Sequence, residues 1–131
     1  KPYEGVFEII KALQKQNKML GIATAKPTKY AHSILVENLW DSCFHSIHGS
    51  KLKGELFPKE KTIGEVLVDF NPRSLEECVM IGDTIYDIKG AQQHNVDAIA
   101  VDYGYGKTRD LKDARPTHFA HTVEEMSRII L

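Results

Sequence analysis

The 131 residues read as an α/β domain with a mainly parallel, Rossmann-like sheet and helices on both faces. Short apolar runs at residues 19–23, 78–81 and 97–101 have the length and continuity of strands buried on both sides. Residues of helical periodicity follow these runs, and strand and helix then alternate along the whole chain, the signature of a parallel α/β sheet.

Taken in order, Pro2 and Gly5 punctuate the start, and Val6, Phe7, Ile10 and Leu13 form one apolar helical face with Lys11, Gln14, Lys15 and Lys18 turned outward. The strand at 19–23 ends at Thr24, Pro27 and Thr28 follow, and Tyr30, Ile34, Leu35 and Leu39 mark a second helix. Residues 43–47 are a weaker strand, stopped by His48-Gly49-Ser50, and the polar segment 51–58 is a loop. Ile63, Val66, Leu67 and Phe70 predict a helix over 60–70 that Asn71-Pro72 ends. Gly82 and Asp83 stop the strand at 78–81, and Ile85, Ile88 and Ala91 give the next helix. The strand at 97–101 leads into the glycine-rich loop 103–106, a short polar helix over 108–114 and a brief strand at 118–120. Thr122 and Glu125 have the spacing of a capping box opening the last helix, whose apolar side is Val123, Met126, Ile129 and Ile130.

Composition narrows the function classes. With 42% hydrophobic and 27% charged residues, the chain suits one globular domain with its own core, spanning 1–131. Seventeen basic against eighteen acidic residues, with no basic stripe, exclude a general nucleic-acid surface. No apolar run approaches the roughly 20 residues of a membrane span, and no signal-peptide pattern is present. Cys43 and Cys78 sit beside apolar runs and read as buried thiols of a reducing, cytoplasmic compartment. Lys1 stands where an initiator Met is usual, just ahead of a helix, so the expectation is a piece of a longer protein.

The chemistry-bearing residues fall at predicted carboxyl ends of strands, where ligands of open α/β sheets bind. Asp83 ends one strand and Asp87 lies in the first turn of the next helix, so both carboxylates can address one point. Two such oxygen ligands suit Mg²⁺, which takes one or two carboxylates plus water and phosphate. The plainer account is that Asp83 caps the helix and Asp87 favours its positive N-terminus. The Thr24 hydroxyl and the amides around Ala25 can hold a phosphate oxygen at the next helix start, although a Thr ending a strand is usually a turn residue. Lys59 opens a helix against the macrodipole, a local inconsistency that hints at function, and pattern alone does not separate it from Lys61. A hydroxyl, a cation and two carboxylates are what phosphoryl transfer needs. His45-x-x-His48 and His118-x-x-His121 are not zinc pairs, because strand residues three apart point to opposite faces and no Cys has ligand spacing. Trp40 reads as a core or edge anchor, and the 103–106 loop lacks the spacing of a dinucleotide fingerprint.

The order Leu20-Gly21-Ile22-Ala23-Thr24-Ala25-Lys26-Pro27, then Lys59, then Gly82-Asp83-Thr84-x-x-Asp87, resembles motifs two, three and four of the haloacid dehalogenase-like hydrolases. Lys1 to Val6, Leu52-Lys53-Gly54, and Val101-Asp102-Tyr103-Gly104-Tyr105-Gly106 are similar to that family's phosphoglycolate phosphatase-type branch, so the resemblance spans essentially the whole chain. It implies that Thr24 binds the transferring phosphoryl group, that Lys59 stabilises nucleophile and phosphate charge, and that Asp83 and Asp87 hold or orient Mg²⁺. The chain departs from the family at His94-Asn95, where Ala-Gly is usual, and at motif three, which lacks a Lys-Pro-x-Pro run. It also lacks motif one, the Asp-x-Asp of the first strand that supplies nucleophile and general acid/base, and the cap that follows it. The expected activity is therefore hydrolysis of a small, phosphoglycolate-like phosphomonoester through an aspartyl-phosphate. Its partners would be a phosphorylated substrate and the N-terminal strand and cap of the same protein. The rival expectation is a catalytically inactive phosphatase-like binding module. A receiver-like signalling domain is disfavoured, because its paired acids would precede the Thr and Lys.

Overall fold

The computed structural model describes residues 5–38, 40–50, 59–102 and 108–131. Its elements are α1 (Val6–Lys15), β1 (Gly21–Pro27), α2 (Thr28–Glu37), β2 (Ser46–Ser50), α3 (Lys59–Phe70), β3 (Val79–Gly82), α4 (Ile85–Gln93), β4 (Asp97–Val101), α5 (Thr108–Asp113), β5 (His118–Ala120) and α6 (Val123–Ile130). Three-residue 3₁₀ turns at Asp41–Cys43 and Leu75–Glu77 precede β2 and β3.

Among the described residues every ladder is parallel. β1 pairs with β2, and β3, β4 and β5 pair in that order. The alternation of β4 sorts the core onto two faces. Ala98 and Ala100 pack with Ile88, Ala91 and Leu111 of α4 and α5, whereas Ile99 and Val101 pack with Ile9 of α1 and Met126 of α6. Helices therefore cover both faces of this sheet. β1 and β3 are not hydrogen-bonded to each other. Gly21, Ile22 and Ala23 of one and Val79, Met80 and Ile81 of the other line a single cavity of about 680 Å³, with Ile63, Val66 and Phe70 of α3 along its wall.

Several expected boundaries move, each for a local reason. β1 begins two residues after the start of the apolar run and continues to Pro27, so Thr24 lies inside the strand and not at its end. Beyond Ala23 its register with β2 shifts, and the Lys26 N–H turns to the Thr24 hydroxyl. Cys43 belongs to a 3₁₀ turn, and the His48-Gly49-Ser50 group expected to stop the strand is the strand. Gly49 fits there because the backbones close in: a Cβ would stand 2.1 Å from the Lys26 carbonyl oxygen. Gly82 is the last residue of β3, and Cys78 precedes it. α3 starts at Lys59, one residue earlier than its periodicity predicts. On α1 the buried residues are Ile9 and Ile10, while Phe7 is exposed and stacks on Trp40 with ring centroids 5.6 Å apart. Thr122 caps α6 as expected, but Glu125 accepts from the His121 N–H, so the box is only half closed. Cys43 is buried, Cys78 is half-buried, and both are free thiols. The expected loop at 51–58, the glycine-rich segment from Tyr103, and Lys1 to Glu4 lie outside the described residues.

Candidate active site

The carboxyl end of β3 becomes the start of α4 through Thr84. Its hydroxyl accepts from the Asp87 N–H, and the Asp87 carboxylate closes the capping box. Asp87 Oδ2 accepts from the Asp83 N–H and the Thr84 N–H, both at 3.2 Å, and from the Thr84 hydroxyl at 3.1 Å. The cap is thus Thr84, not Asp83 as the plainer account had it. Asp87 is 5% exposed. It fits so closely because residue 82 is glycine: a Cβ there would lie 2.2 to 2.5 Å from the Asp87 carboxylate group and its Cβ. Asp83 is half-buried at the strand end.

Lys59, the first residue of α3, reaches this corner from the side. Its ammonium donates to the Ala23 carbonyl at 3.0 Å and stands 2.9 Å from Asp87 Oδ1. Oδ1 has no aligned hydrogen-bond donor despite that distance, so the contact is one of charge and leaves lone-pair capacity on a buried oxygen. Lys59 thus joins β1, α3 and α4. Lys61 is exposed on the far side of α3, lining a separate cleft with Pro72 and His94.

Thr24 directly follows the carbonyl that Lys59 holds. Its hydroxyl accepts from the Lys26 N–H at 3.2 Å, within β1 and beside exposed Ala25. The structure therefore gathers Lys59, Asp87 and the Ala23–Thr24 peptide, and places Asp83 one peptide from the Asp87 cap. Sequence reasoning missed Thr84, although Thr-x-x-Asp before an apolar helix is a capping-box pattern. It also missed the Ala23 carbonyl, which no side-chain pattern signals.

A hard cation fits this donor set. The carboxylates of Asp83 and Asp87 are oxygen donors of the kind such an ion takes, and Asp87 Oδ1 keeps lone-pair capacity, while no three His, Cys, Asp or Glu side chains converge on a metal position among the described residues. One or two carboxylates with the remaining positions left to water and phosphate is the habit of Mg²⁺.

His48 and His121 are held elsewhere. His48 Nε2 and the Ser46 hydroxyl both donate to Asp69 Oδ2 at 2.7 Å, tying β2 to α3. These bonds, from Ser46 first and His48 next, hold the Asp69 carboxyl below its ordinary value. His121 Nδ1 donates to Asp102 at 2.7 Å beyond β4. Burial pushes the Asp102 carboxyl up, but the hydrogen bonds from His121 and Thr108 outweigh it and bring the value down.

Residues 1–101 match the family model described as haloacid dehalogenase-like hydrolase. A 5'-nucleotidase of Pseudomonas aeruginosa is 33% identical over 98% of this chain and 58% of its own length. A phosphoglycolate phosphatase of Psychrobacter arcticus is 32% identical over 88% of this chain and 50% of its own. Among solved structures, a Clostridium difficile protein provisionally described as a phosphatase superposes with a TM-score of 0.96 at 38% identity, covering 100% of this chain and 61% of that one. The chain spans about half the length of the curated relatives it matches.

Proposed function

The chain belongs to the haloacid dehalogenase-like hydrolases, beside their phosphoglycolate phosphatase-type branch, and from that premise we propose that residues 1–131 form the core domain of a cytoplasmic Mg²⁺-dependent phosphatase. Its substrate class is a small phosphomonoester of the phosphoglycolate kind. The observation that carries the reading is the convergence of Lys59 on the Ala23 carbonyl and Asp87, which brings three separate segments to one point at the sheet's carboxyl edge.

In this reading the Thr24 hydroxyl and the backbone at Ala25 hold the phosphoryl oxygens. The Lys59 ammonium offsets their charge together with that of the nucleophile. Asp83 and Asp87 would hold Mg²⁺, which when bound neutralises phosphate charge and orients the group for in-line attack. The nucleophile comes from an Asp-x-Asp strand in the rest of the polypeptide, seated between β1 and β3. Its first carboxylate attacks phosphorus, the ester oxygen leaves with a proton from the second acid, and water then cleaves the aspartyl-phosphate. The cap of the same protein would select the substrate.

A catalytically inactive module that binds Mg²⁺ or phosphate is the second reading. It is favoured by the capping bonds of Asp87, which account for that acid without chemistry. The full-length protein with a generic phosphomonoester separates the two. Mg²⁺-dependent turnover is expected, falling about 100-fold or more in Lys59→Ala, the scale of one lost transition-state contact. Lys61→Ala should stay close to wild type. Phosphate binding without turnover would select the inactive module.

A further inference from the structure

Seven residues beyond Asp87, at the carboxyl cap of α4, the ring of His94 turns back onto α3. Its Nε2 lies 2.6 Å from the Glu60 carbonyl oxygen. A carbonyl can only accept, so Nε2 carries the proton and donates. One turn earlier on α4, Gly90 leaves no side chain between the helices. A Cβ there would stand 2.8 Å from Ile63 Cδ1 and 3.2 Å from the Glu60 nitrogen. The first turn of α3 is therefore pressed against α4 at Gly90 and tied to it at His94. Lys59 immediately precedes Glu60, and its flexible stem crosses from this turn to Asp87 and Ala23. Four methylenes do not fix an ammonium by themselves, so the anchor of the backbone beneath them sets where the charge rests.

We infer that His94 is a positioning residue: by holding the Glu60 carbonyl it fixes the first turn of α3 and so places the Lys59 ammonium between Asp87 and Ala23. Its effect on turnover rests on the phosphatase reading; the placement of Lys59 does not. Neither motif three nor motif four includes this residue, and its contact is with a carbonyl, so only a donor at the Nε2 position can replace it.

The test labels the full-length, folded protein with an amine-acetylating reagent and measures each lysine by mass spectrometry. His94→Ala should speed acetylation of Lys59 by about two- to tenfold, the factor carried by one net hydrogen bond. Exposed Lys15 and Lys29, on other helices, should react at the wild-type rate. His94→Gln, whose amide nitrogen reaches the same carbonyl, should restore protection of Lys59, and kcat should fall and recover in parallel with KM changing less. Should His94→Ala not fold, His94→Asn, whose amide stops short, takes its place against His94→Gln. Wild-type protection of Lys59 in a folded His94→Ala or His94→Asn protein would overturn the inference, as would a His94→Gln protein no better protected than His94→Ala. A general rise in labelling at every lysine would also overturn it, because it marks His94 as a support of the whole fold. If labelling follows the expected pattern but the wild-type protein has no turnover, the phosphatase reading fails and the placement of Lys59 by His94 stands.

Discussion

Asp87 Oδ2 accepts three donors from the β3–α4 joint, whereas Oδ1 faces the Lys59 ammonium. Capping and charge placement therefore share one buried carboxylate, and a substitution that loosens the cap moves the charge as well. Thr84→Ala removes the hydroxyl on both sides of the capping box. It should lower stability by about 1–2 kcal/mol in urea denaturation. It should also reduce turnover of the full-length protein without abolishing it, because both Asp oxygens remain but lose their orientation. Equal loss of stability with untouched turnover would mean that the cap does not position Asp87. The positions of Asp83 just past the strand and of Asp87 in the first helical turn were legible in the sequence, because an apolar run of strand length passes directly into helical spacing there. The Thr84 cap is written in the sequence as an ordinary Thr-x-x-Asp signal, which coincides with the pair of acids and is masked by it. Gly82 was read as a strand stop, and the clash that an added Cβ would make with Asp87 is visible only once both are placed.

At the scale of elements, β2 is fastened to α3 by Asp69, which accepts from Ser46 and His48 on one oxygen. A folded-state carboxyl held below its ordinary value of 3.8 binds protons less readily than in the unfolded chain. Its contribution to stability is therefore present above that value and lost as pH falls through the lower, folded one. Asp69→Asn should lose stability at neutral pH and show a shallower decline below about pH 4, the ordinary carboxylate range. Acid titrations of the wild type and variant with the same slope in that window would remove Asp69 from the acid response. The same β2 shows where patterning runs out. Apolar Phe44 and Ile47 set the expected strand toward Cys43, while the observed Ser46–Ser50 segment contains two serines, a histidine and a glycine. These residues are strand because the backbone of β1 approaches them and because Asp69 satisfies Ser46 and His48, which are tertiary facts. β4 and β5 were legible to the residue, since Asp97–Val101 is a continuous apolar run after one polar residue and the Pro116 turn isolates His118–Ala120.

At the scale of the molecule, the open edges of β1 and β3 line one cavity of about 680 Å³, walled by Ile63, Val66 and Phe70. Met19 and Val79, both large and apolar, stand 48% and 45% exposed on its rim. Along each of these strands, alternate peptide groups turn away from the neighbour already paired, toward the cavity. Open strand edges beside exposed apolar side chains are templates for pairing with another chain. In the proposed phosphatase reading, an apolar strand parallel to both edges, from elsewhere in the polypeptide, would join the two sheets into one and end beside Lys59. Residues 1–131 expressed alone should therefore be aggregation-prone or partly folded, bind Mg²⁺ only weakly and show no phosphatase activity. Hydrogen exchange distinguishes this from a general effect of chain length. In the longer protein the cavity-facing amides of β1 and β3 should exchange about tenfold or more slowly than in the 1–131 fragment, the factor for a regained hydrogen bond of about 1.4 kcal/mol. The amides joining β4 to β5 should differ far less, because their partners are present in both. A monomeric 1–131 fragment with a cooperative melt, equal protection along β1 and β3, and measurable phosphomonoester hydrolysis would mean that neither a strand nor a nucleophile is wanting, and the proposed completion of the sheet would have to be given up.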